Sequence, residues 1–405
     1  MNKESIPSYV PKSAYPAPNF IGRATLPTES SADGETLEYG SDLHAEVKKV
    51  FDEAYWHFFE DAASNEFEKQ KIKEQEDKIY LTLLAYQTND PERSASERQN
   101  WADAFTELGI KIYGKPDAEI AQMLENGDNS ILKNCEFVSK EIGKYLSDEY
   151  GDVFDALEVE SFDHDLSPME IIECFERGLI KLREKDGRWQ DVKIETNDGS
   201  SLAARGKTIK VGLNRTPAKP RSVKGLFAHE VLRHVLSSLN GRTNHIEKMP
   251  DYERIEEGFA ILNEFAASEQ FPQKIIDRYV DIAFALGQLD GKKHTRKELV
   301  ERYIEREQNR GRTDSEAVEK EAYAHANRIY RGTPGNDEVY GIFTKDAIYF
   351  TGFVLATNYI EDRLIKGDKI EDIMHFIEAG KFDPTNPDQS KYIEEKLANN
   401  LDFNA

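Results

Sequence analysis

The segment His229-Glu230-Val231-Leu232-Arg233-His234 constrains the fold more than any other part of this chain. Its two histidines are five residues apart, and on a regular α-helix five steps of about 100° leave the rings about 140° from alignment. A π-type turn closes over five residues and would bring both imidazoles to one side of the helix. The spacing therefore predicts a distorted helix between His229 and His234, with Glu230 leaning over the side that the two rings share.

A pair of carboxylates follows this segment at Glu256-Glu257-Gly258. Two imidazoles and one carboxylate are a common set of catalytic zinc ligands, and they leave a fourth position for a water molecule whose pKa falls to about 7. A second carboxylate beside the metal then serves as general base. The residues therefore indicate a zinc hydrolase site. The alternative is that the histidines lie on an ordinary amphipathic helix and the two glutamates on a solvated helix face.

Three blocks of sequence carry a resemblance to a known family. They are Leu226–Val235 with Leu239-Asn240-Gly241 after it, Glu256–Ala260, and Arg328–Thr333 with Phe343–Gly352 after it. In this order they resemble the microtubule-associated tyrosine carboxypeptidase family of zinc metallopeptidases, as a bacterial-type member, and the likeness covers residues 45 to 400. The resemblance implies a zincin-like enzyme that hydrolyses the C-terminal peptide bond of a peptide or protein and releases an aromatic residue, tyrosine or phenylalanine.

The same resemblance implies roles for individual residues. It makes His229 and His234 zinc ligands, Glu230 the general base and Glu257 the third ligand. Glu257 is preferred to Glu256 because the carboxylate directly before the glycine is the usual ligand in related zinc peptidases, but the choice between the two stays open.

Two basic residues are candidates, by the same resemblance, for binding the terminal carboxylate of the substrate. Arg331 offers a bidentate fork and Lys345 a point charge. A structural salt bridge with a neighbouring carboxylate is the alternative for both. The chain departs from the family at Leu232 and Arg233, where a glycine and a small or β-branched residue are common. A glycine there would ease the predicted bulge.

The net charge of −23 bounds the partners that we expect. Nucleic acid and anionic membranes would be repelled, so neither is expected as a partner. Microtubule binding is not expected either, because the tails of tubulin are acidic.

One basic segment differs from this acidic background. Between Gly199 and His229 the chain has no Asp or Glu but seven basic residues, which are Arg205, Lys207, Lys210, Arg215, Lys219, Arg221 and Lys224. A positive rim beside the zinc would suit a substrate with a free carboxylate. An ordinary basic surface is the alternative.

The apolar pattern predicts an α+β chain that is predominantly helical. Residues 1–40 are rich in proline and lack periodicity, which is typical of a flexible tail. Residues 41–160 are predicted as a helical N-terminal part and 161–405 as the zinc peptidase part, unless 41–405 form one continuous domain. Helices are predicted near 67–88, 98–110, 116–126, 135–149, 252–270, 274–288, 295–308 and 313–330.

A small antiparallel sheet is predicted immediately before the metal-binding helix. Val192 and Ile194 alternate with polar neighbours before the turn signal Asn197-Asp198-Gly199, and apolar residues alternate again from Ile209 to Leu213. An edge strand of this sheet would pair with an extended substrate backbone.

Two helix starts are also predicted from capping residues. Ser167-Pro168-Met169-Glu170 has the residues of a capping box with proline at the first helical position, and its helix should run to about Glu184. Ser222 is expected to cap the helix that carries His229.

The apolar runs and the cysteine count indicate where in the cell we expect the protein. No apolar run approaches the roughly 18 residues of a membrane span, and the N-terminus lacks a signal-peptide pattern, so we expect a cytoplasmic protein. Cys135 and Cys174 are too few for a disulfide framework, and each lies in an apolar-periodic stretch that suits a buried thiol.

The sequence thus predicts a zinc-dependent metallocarboxypeptidase that acts on a peptide or protein C-terminus. Two alternatives stay open. One is another zinc metallopeptidase that cleaves internally or from the amino end. The other is a non-catalytic binding protein with a structural zinc, which crowding of the site by Leu232 and Arg233 would favour. The sequence does not predict the oligomeric state.

Overall fold

The computed structural model describes residues 113–158, 164–199, 201–246, 248–330 and 341–403, with a few positions between 99 and 110. The predicted tail and the helix predicted at 67–88 lie outside these residues, as do six of the thirteen positions of the helix predicted at 98–110; the described positions of that span are helical, as predicted. Strands β1 to β3 are Lys193–Asn197, Leu202–Arg205 and Thr208–Gly212. Helices α1 to α12 are Ala118–Glu125, Cys135–Leu157, Pro168–Lys185, Pro220–His229, Leu236–Thr243, Glu253–Ser268, Gln273–Ala285, Arg296–Asn309, Ser315–Ile329, Ala347–Ile365, Ile370–Ile377 and Pro387–Phe403.

The predominantly helical α+β prediction is confirmed for the described residues, and so is the predicted start of α3. The Ser167 hydroxyl accepts the Glu170 N–H, and the Glu170 carboxylate accepts the Ser167 N–H at 2.7 Å. Pro168 occupies the first helical position, and the helix ends at Lys185, one residue beyond the predicted Glu184. Local capping chemistry alone therefore determines where this helix begins.

Helix α2 is longer than predicted, because it continues past residue 149 to Leu157. Tyr150 leaves helical geometry, with φ −124° and ψ 18°, so the helix kinks there without ending. Val153 and Leu157 beyond the kink are buried in the core. Tertiary packing of this apolar stripe thus extends the helix beyond the point where local sequence signals a stop.

The prediction of an antiparallel sheet is wrong in part, because the three strands form a mixed sheet of order β1-β3-β2. Ile209 of β3 pairs with Ile194 of β1 in parallel and with Ala204 of β2 in antiparallel. The hairpin lies between β2 and β3, where Gly206 has φ +61° at the first position of a two-residue loop. Strand β2, Leu-Ala-Ala-Arg, lacks the β-branched alternation by which strands are recognised in sequence.

The predicted cap at Ser222 is also wrong, because α4 begins at Pro220 with Lys219 as its N-cap. Proline at the first helical position has its φ already set and needs no N–H partner, so the helix begins three residues earlier than a cap at Ser222 would place it. The Ser222 hydroxyl instead bonds the side chain of Gln270 at 3.3 Å.

The chain divides into two compact units, which are described separately. Unit 1 contains the described residues up to Gly127 together with Ile275–Ala347, and unit 2 contains Asp128–Lys274 together with the described residues from Ile348 onward. In unit 2, Phe175 of α3 and Phe227 of α4 pack edge to face with ring centroids 5.1 Å apart. The domain boundaries proposed from the sequence remain predictions.

Both cysteines are free and buried, as predicted. None of the helices in the described part of the chain has the length and apolarity that crossing a membrane requires.

Candidate metal centre

A π-helix over Glu230–Val235 joins α4 to α5, which confirms the distortion predicted from the histidine spacing. The wide turn brings the rings of His229 and His234 together, with centroids 5.1 Å apart. It forms without glycine, and Leu232 and Arg233 are fully buried. Burial of these side chains therefore stabilises a backbone geometry that local propensity does not favour.

The two histidines and Glu257 form a group whose ligand atoms all lie within 4.8 Å of one another. Glu257 Oε2 lies 3.7 Å from His229 Nε2 and 3.6 Å from His234 Nε2. In a tetrahedral site with bonds of about 2.0–2.1 Å, neighbouring ligand atoms are about 3.3 Å apart. The observed distances are close to this value, so the group fits a small cation such as Zn²⁺ with little movement.

A carboxylate orients each of these imidazoles from its other nitrogen. His229 Nδ1 lies 2.9 Å from Glu264 Oε2, and His234 Nδ1 lies 3.1 Å from Glu256 Oε1. A carboxylate at Nδ1 favours the tautomer with its proton on that nitrogen, which leaves the Nε2 lone pair directed towards the metal. This arrangement is the usual one for histidines that bind metal ions.

The buried Arg233 separates the roles of Glu256 and Glu257. Its Nε donates to Glu256 Oε2 at 2.9 Å, its Nη2 also donates to that oxygen, and its Nη1 donates to the Ile377 carbonyl at 3.1 Å. Burial opposes ionisation of Glu256, but the Arg233 guanidinium holds the pKa of that carboxyl well below its usual range. Glu256 is thus engaged by Arg233 and by His234 Nδ1, whereas Glu257 faces both Nε2 atoms. Arg233 contacts Glu256 and not the point on which the three ligand atoms converge.

Close helix packing positions Glu257. At Gly258 an added Cβ would lie 2.0 Å from the carbonyl oxygen of Gly352, so no other residue fits between α6 and α10. The glycines of the Glu-Glu-Gly block and of the Phe343–Gly352 block therefore meet in unit 2. Their contact explains why glycine follows the carboxylate at this point.

Glu230 lies beside the group and is almost fully buried. Its Oε2 accepts the N–H of Ala204 in β2 at 2.7 Å, which holds the carboxylate in place. Burial raises the pKa of Glu230 above its ordinary value, although the two imidazoles oppose this effect. For His234, burial lowers the pKa, but the carboxylates of Glu257 and Glu256 outweigh it and raise the pKa to about 10.

The other predicted site residues belong to unit 1 or lie outside the described residues. Arg331 falls within 331–340, which the structure does not describe. Lys345 lies in a short 3₁₀ turn, Thr344–Asp346, with its Nζ 5.4 Å from the ring centroid of Tyr113. Neighbouring Asp346 is buried and accepts hydrogen bonds from Arg328. The carboxylate-binding roles of Arg331 and Lys345 stay predictions.

Sequence reasoning missed two residues of this site. Glu264 lies two helical turns after Glu257 on α6, so the i to i+7 spacing was a signal that both carboxylates share one face. Ala204 contributes only its backbone N–H and therefore leaves no signal in the sequence.

Comparison with known proteins places the chain in a family. No curated protein and no solved structure matches the chain significantly. The sequence model of the microtubule-associated tyrosine carboxypeptidase matches residues 50–400, which is most of the chain. It covers both histidines, Glu230, Glu257 and the Phe343–Gly352 block. The chain therefore belongs to the microtubule-associated tyrosine carboxypeptidase family, a family of metallocarboxypeptidases.

Proposed function

We propose that this protein is a zinc-dependent carboxypeptidase that hydrolyses the last peptide bond of a peptide or protein and releases an aromatic residue, tyrosine or phenylalanine. The convergence of His229 Nε2, His234 Nε2 and Glu257 Oε2 supports the proposal in a chain of this family. Zinc is the proposed metal because two imidazoles and one carboxylate are a ligand set that it favours in catalytic sites.

Glu230 is the proposed general base. When bound, zinc supplies a Lewis acid that lowers the pKa of a water molecule and polarises the scissile carbonyl. Glu230 takes a proton from the attacking water and later returns it to the leaving amine. Because one Glu230 oxygen accepts the Ala204 N–H, the other is left to carry the proton.

The free edge of β2 is the proposed binding surface for the substrate backbone. Strand β2 lies at one edge of the sheet, and the Ala204 N–H on its unpaired side is directed to Glu230. A peptide that adds to this edge as a further strand would bring its backbone beside the general base. Pairing of the substrate backbone with an edge strand stays a prediction.

The alternatives differ in what they require of the site. An endopeptidase or aminopeptidase needs no recognition of a free substrate carboxylate, and a non-catalytic protein needs a closed metal site. Crowding by Leu232 and Arg233 was the feature that favoured the non-catalytic alternative. Arg233 is engaged by Glu256 and Ile377, so it supplies no fourth ligand to the group.

The test is a peptide pool incubated with the zinc-loaded full chain, with products read by mass spectrometry and bound zinc measured in parallel. Glu230→Gln is expected to lower the rate by about 10²- to 10⁴-fold and to keep its zinc, because general-base catalysis is lost and the ligands remain. Glu173→Gln, which changes an exposed glutamate of α3, is the matched control and should behave as the wild type.

The products separate the alternatives. Loss of single aromatic residues from the carboxyl end supports the proposal, whereas internal cleavage or loss from the amino end would replace it with another peptidase class. Bound zinc without any cleavage would favour the binding protein. If Glu230→Gln loses its zinc, Glu230 is a ligand and not the base.

The remaining expectations from the sequence stay part of the proposal. They are a zincin-like catalytic part, a bacterial-type member, a cytoplasmic location, and a net charge of −23 that disfavours microtubules, nucleic acid and anionic membranes as partners.

A further inference from the structure

Arg215 is a partly buried cation without a bonding partner for its side chain in the described part of the chain. It lies in the loop between β3 and α4, where its backbone N–H bonds the Gly212 carbonyl at 3.2 Å. Its Nε and Nη1 atoms are shielded from solvent, and no described group accepts a hydrogen bond from either. A shielded guanidinium that donates no hydrogen bonds is costly, so a ligand that accepts from it would be bound strongly.

Other basic residues of the same segment have a different environment. Lys207 forms an ion pair with Asp191 at 2.8 Å, and Lys224 forms one with Glu158 at 2.7 Å. Arg221 is exposed on α4, where water solvates its charge. Arg215 differs from all three because it is partly withdrawn from water and has no ion pair among the described residues.

The charges that act on Arg215 belong to the metal centre. Burial lowers the pKa of Arg215, and the carboxylates of Glu230 and Glu264 oppose that effect. Neither carboxylate forms an ion pair with Arg215, because Glu230 bonds the Ala204 N–H and Glu264 bonds His229. The guanidinium therefore lies within the electrostatic field of the site, while its own hydrogen-bond donors remain unused.

We propose that Arg215 binds the free α-carboxylate of the substrate's C-terminal residue and so makes the enzyme an exopeptidase. The inference rests on the proposed function and deepens it. A guanidinium offers two parallel donors that match a carboxylate, and it is always charged. A peptide amide or an internal peptide bond presents no such anion, so Arg215 discriminates against both.

The test is binding of N-acetyl-tyrosine and of its C-terminal amide to the zinc-loaded full chain, measured by titration calorimetry. We expect the wild type to bind the acid at least about tenfold more tightly than the amide, since a charged, bidentate contact is lost in the amide. In Arg215→Met this ratio should fall to about one, while affinity for the amide and zinc content stay unchanged. Arg215→Lys should retain part of the preference, and Arg221→Met, the matched control, should retain all of it.

The kinetic counterpart is the cleavage of the best peptide from the pool. Arg215→Met is expected to raise KM by at least about tenfold with a smaller change in kcat, because the contact is made in the ground state as well as in the transition state.

Each outcome decides the inference. An acid preference that survives in Arg215→Met overturns it, and so does a wild type that binds neither form or binds both equally. Loss of zinc or of amide binding in Arg215→Met would assign the residue a structural role and also overturn it. If the wild type prefers the acid through Arg215 but cleaves no peptide, the proposed catalytic function fails while the carboxylate site stands.

Discussion

Two groups of buried charges in this protein use the same residue types and differ in where their nitrogen atoms are directed. In unit 1, the fully buried Asp281 accepts hydrogen bonds from Arg302 and Arg306 at 2.8–2.9 Å and lies 2.8 Å from His325 Nε2. In unit 2, His229 and His234 use Nδ1 for their carboxylate partners, and both Nε2 atoms face Glu257.

The direction of the imidazole nitrogen atoms distinguishes a structural ion cluster, around Asp281, from a candidate metal centre, around His229 and His234. In the Asp281 cluster the imidazole and two arginines are directed at the same carboxylate, and the described residues there do not form a group that could hold a metal ion. Around the histidine pair, Arg233 pairs with Glu256, while the carboxylates of Glu257 and Glu264 contact the imidazoles.

The largest expected effect is on stability, from Asp281→Asn. Removing the anion takes away the fully buried acceptor that Arg302 and Arg306 share, although Glu125 and Asp277 still pair with them, and should lower the free energy of unfolding by about 3–5 kcal/mol. Zinc content should not change. Urea unfolding and metal analysis check both, with the exposed Glu319→Gln of the same unit as control. A variant that loses zinc would contradict the separation of the two clusters.

The next effect is on metal binding, from Glu257→Gln. An uncharged amide is a poor replacement for a carboxylate ligand, so zinc affinity should fall by more than about 100-fold. Competition with a chelator measures the affinity, with Glu253→Gln on the first turn of α6 as control. If Glu257→Gln binds zinc as tightly as the wild type does, Glu257 is not the third ligand.

The smallest expected effect is a pH dependence of stability caused by Glu378. In contrast to Asp281 and Glu256, this buried carboxyl has no ion-pair partner among the described residues. Glu378 accepts the Tyr145 hydroxyl at 3.0 Å, and burial raises its pKa to about 8, with Arg233 opposing and Glu149 adding to the shift. Between pH 4.5, the pKa of Glu378 in the unfolded chain, and about pH 8, its pKa in the folded protein, Glu378 is ionised in the unfolded chain and protonated in the folded one. Wild-type stability should therefore fall as pH rises through this window and level off above it.

Glu378→Gln removes this titration. Relative to the wild type, the variant should gain at least about 1 kcal/mol in stability from pH 5 to pH 9, read from urea midpoints at each pH. Glu371→Gln, an exposed position on α11, should show no such gain. A pH-independent difference between Glu378→Gln and wild type would mean that Glu378 is ionised in the fold.

Much of the candidate site could be predicted because its chemistry is local. The five-residue spacing of His229 and His234 allowed one geometry in which both rings share a side, and the π-helix adopts it. The start of α3 followed from Ser167 and Glu170 in the same way. Strand β2 and the parallel pairing of β1 could not be predicted, because pairing partners depend on contacts between segments that the strand residues themselves do not encode.

The amino-acid sequence by itself determined the distorted helix between His229 and His234 and the capping box at the start of α3, since these depend on residues within a few positions of one another. Only the tertiary structure decided which of Glu256 and Glu257 faces the histidines, because the choice depends on Arg233 bonding Glu256 inside the core. It also decided that Ala204 holds Glu230 and that Arg215 has unused donors in the field of the site. These features depend on burial and on contacts between distant segments, which exist only once the chain has folded.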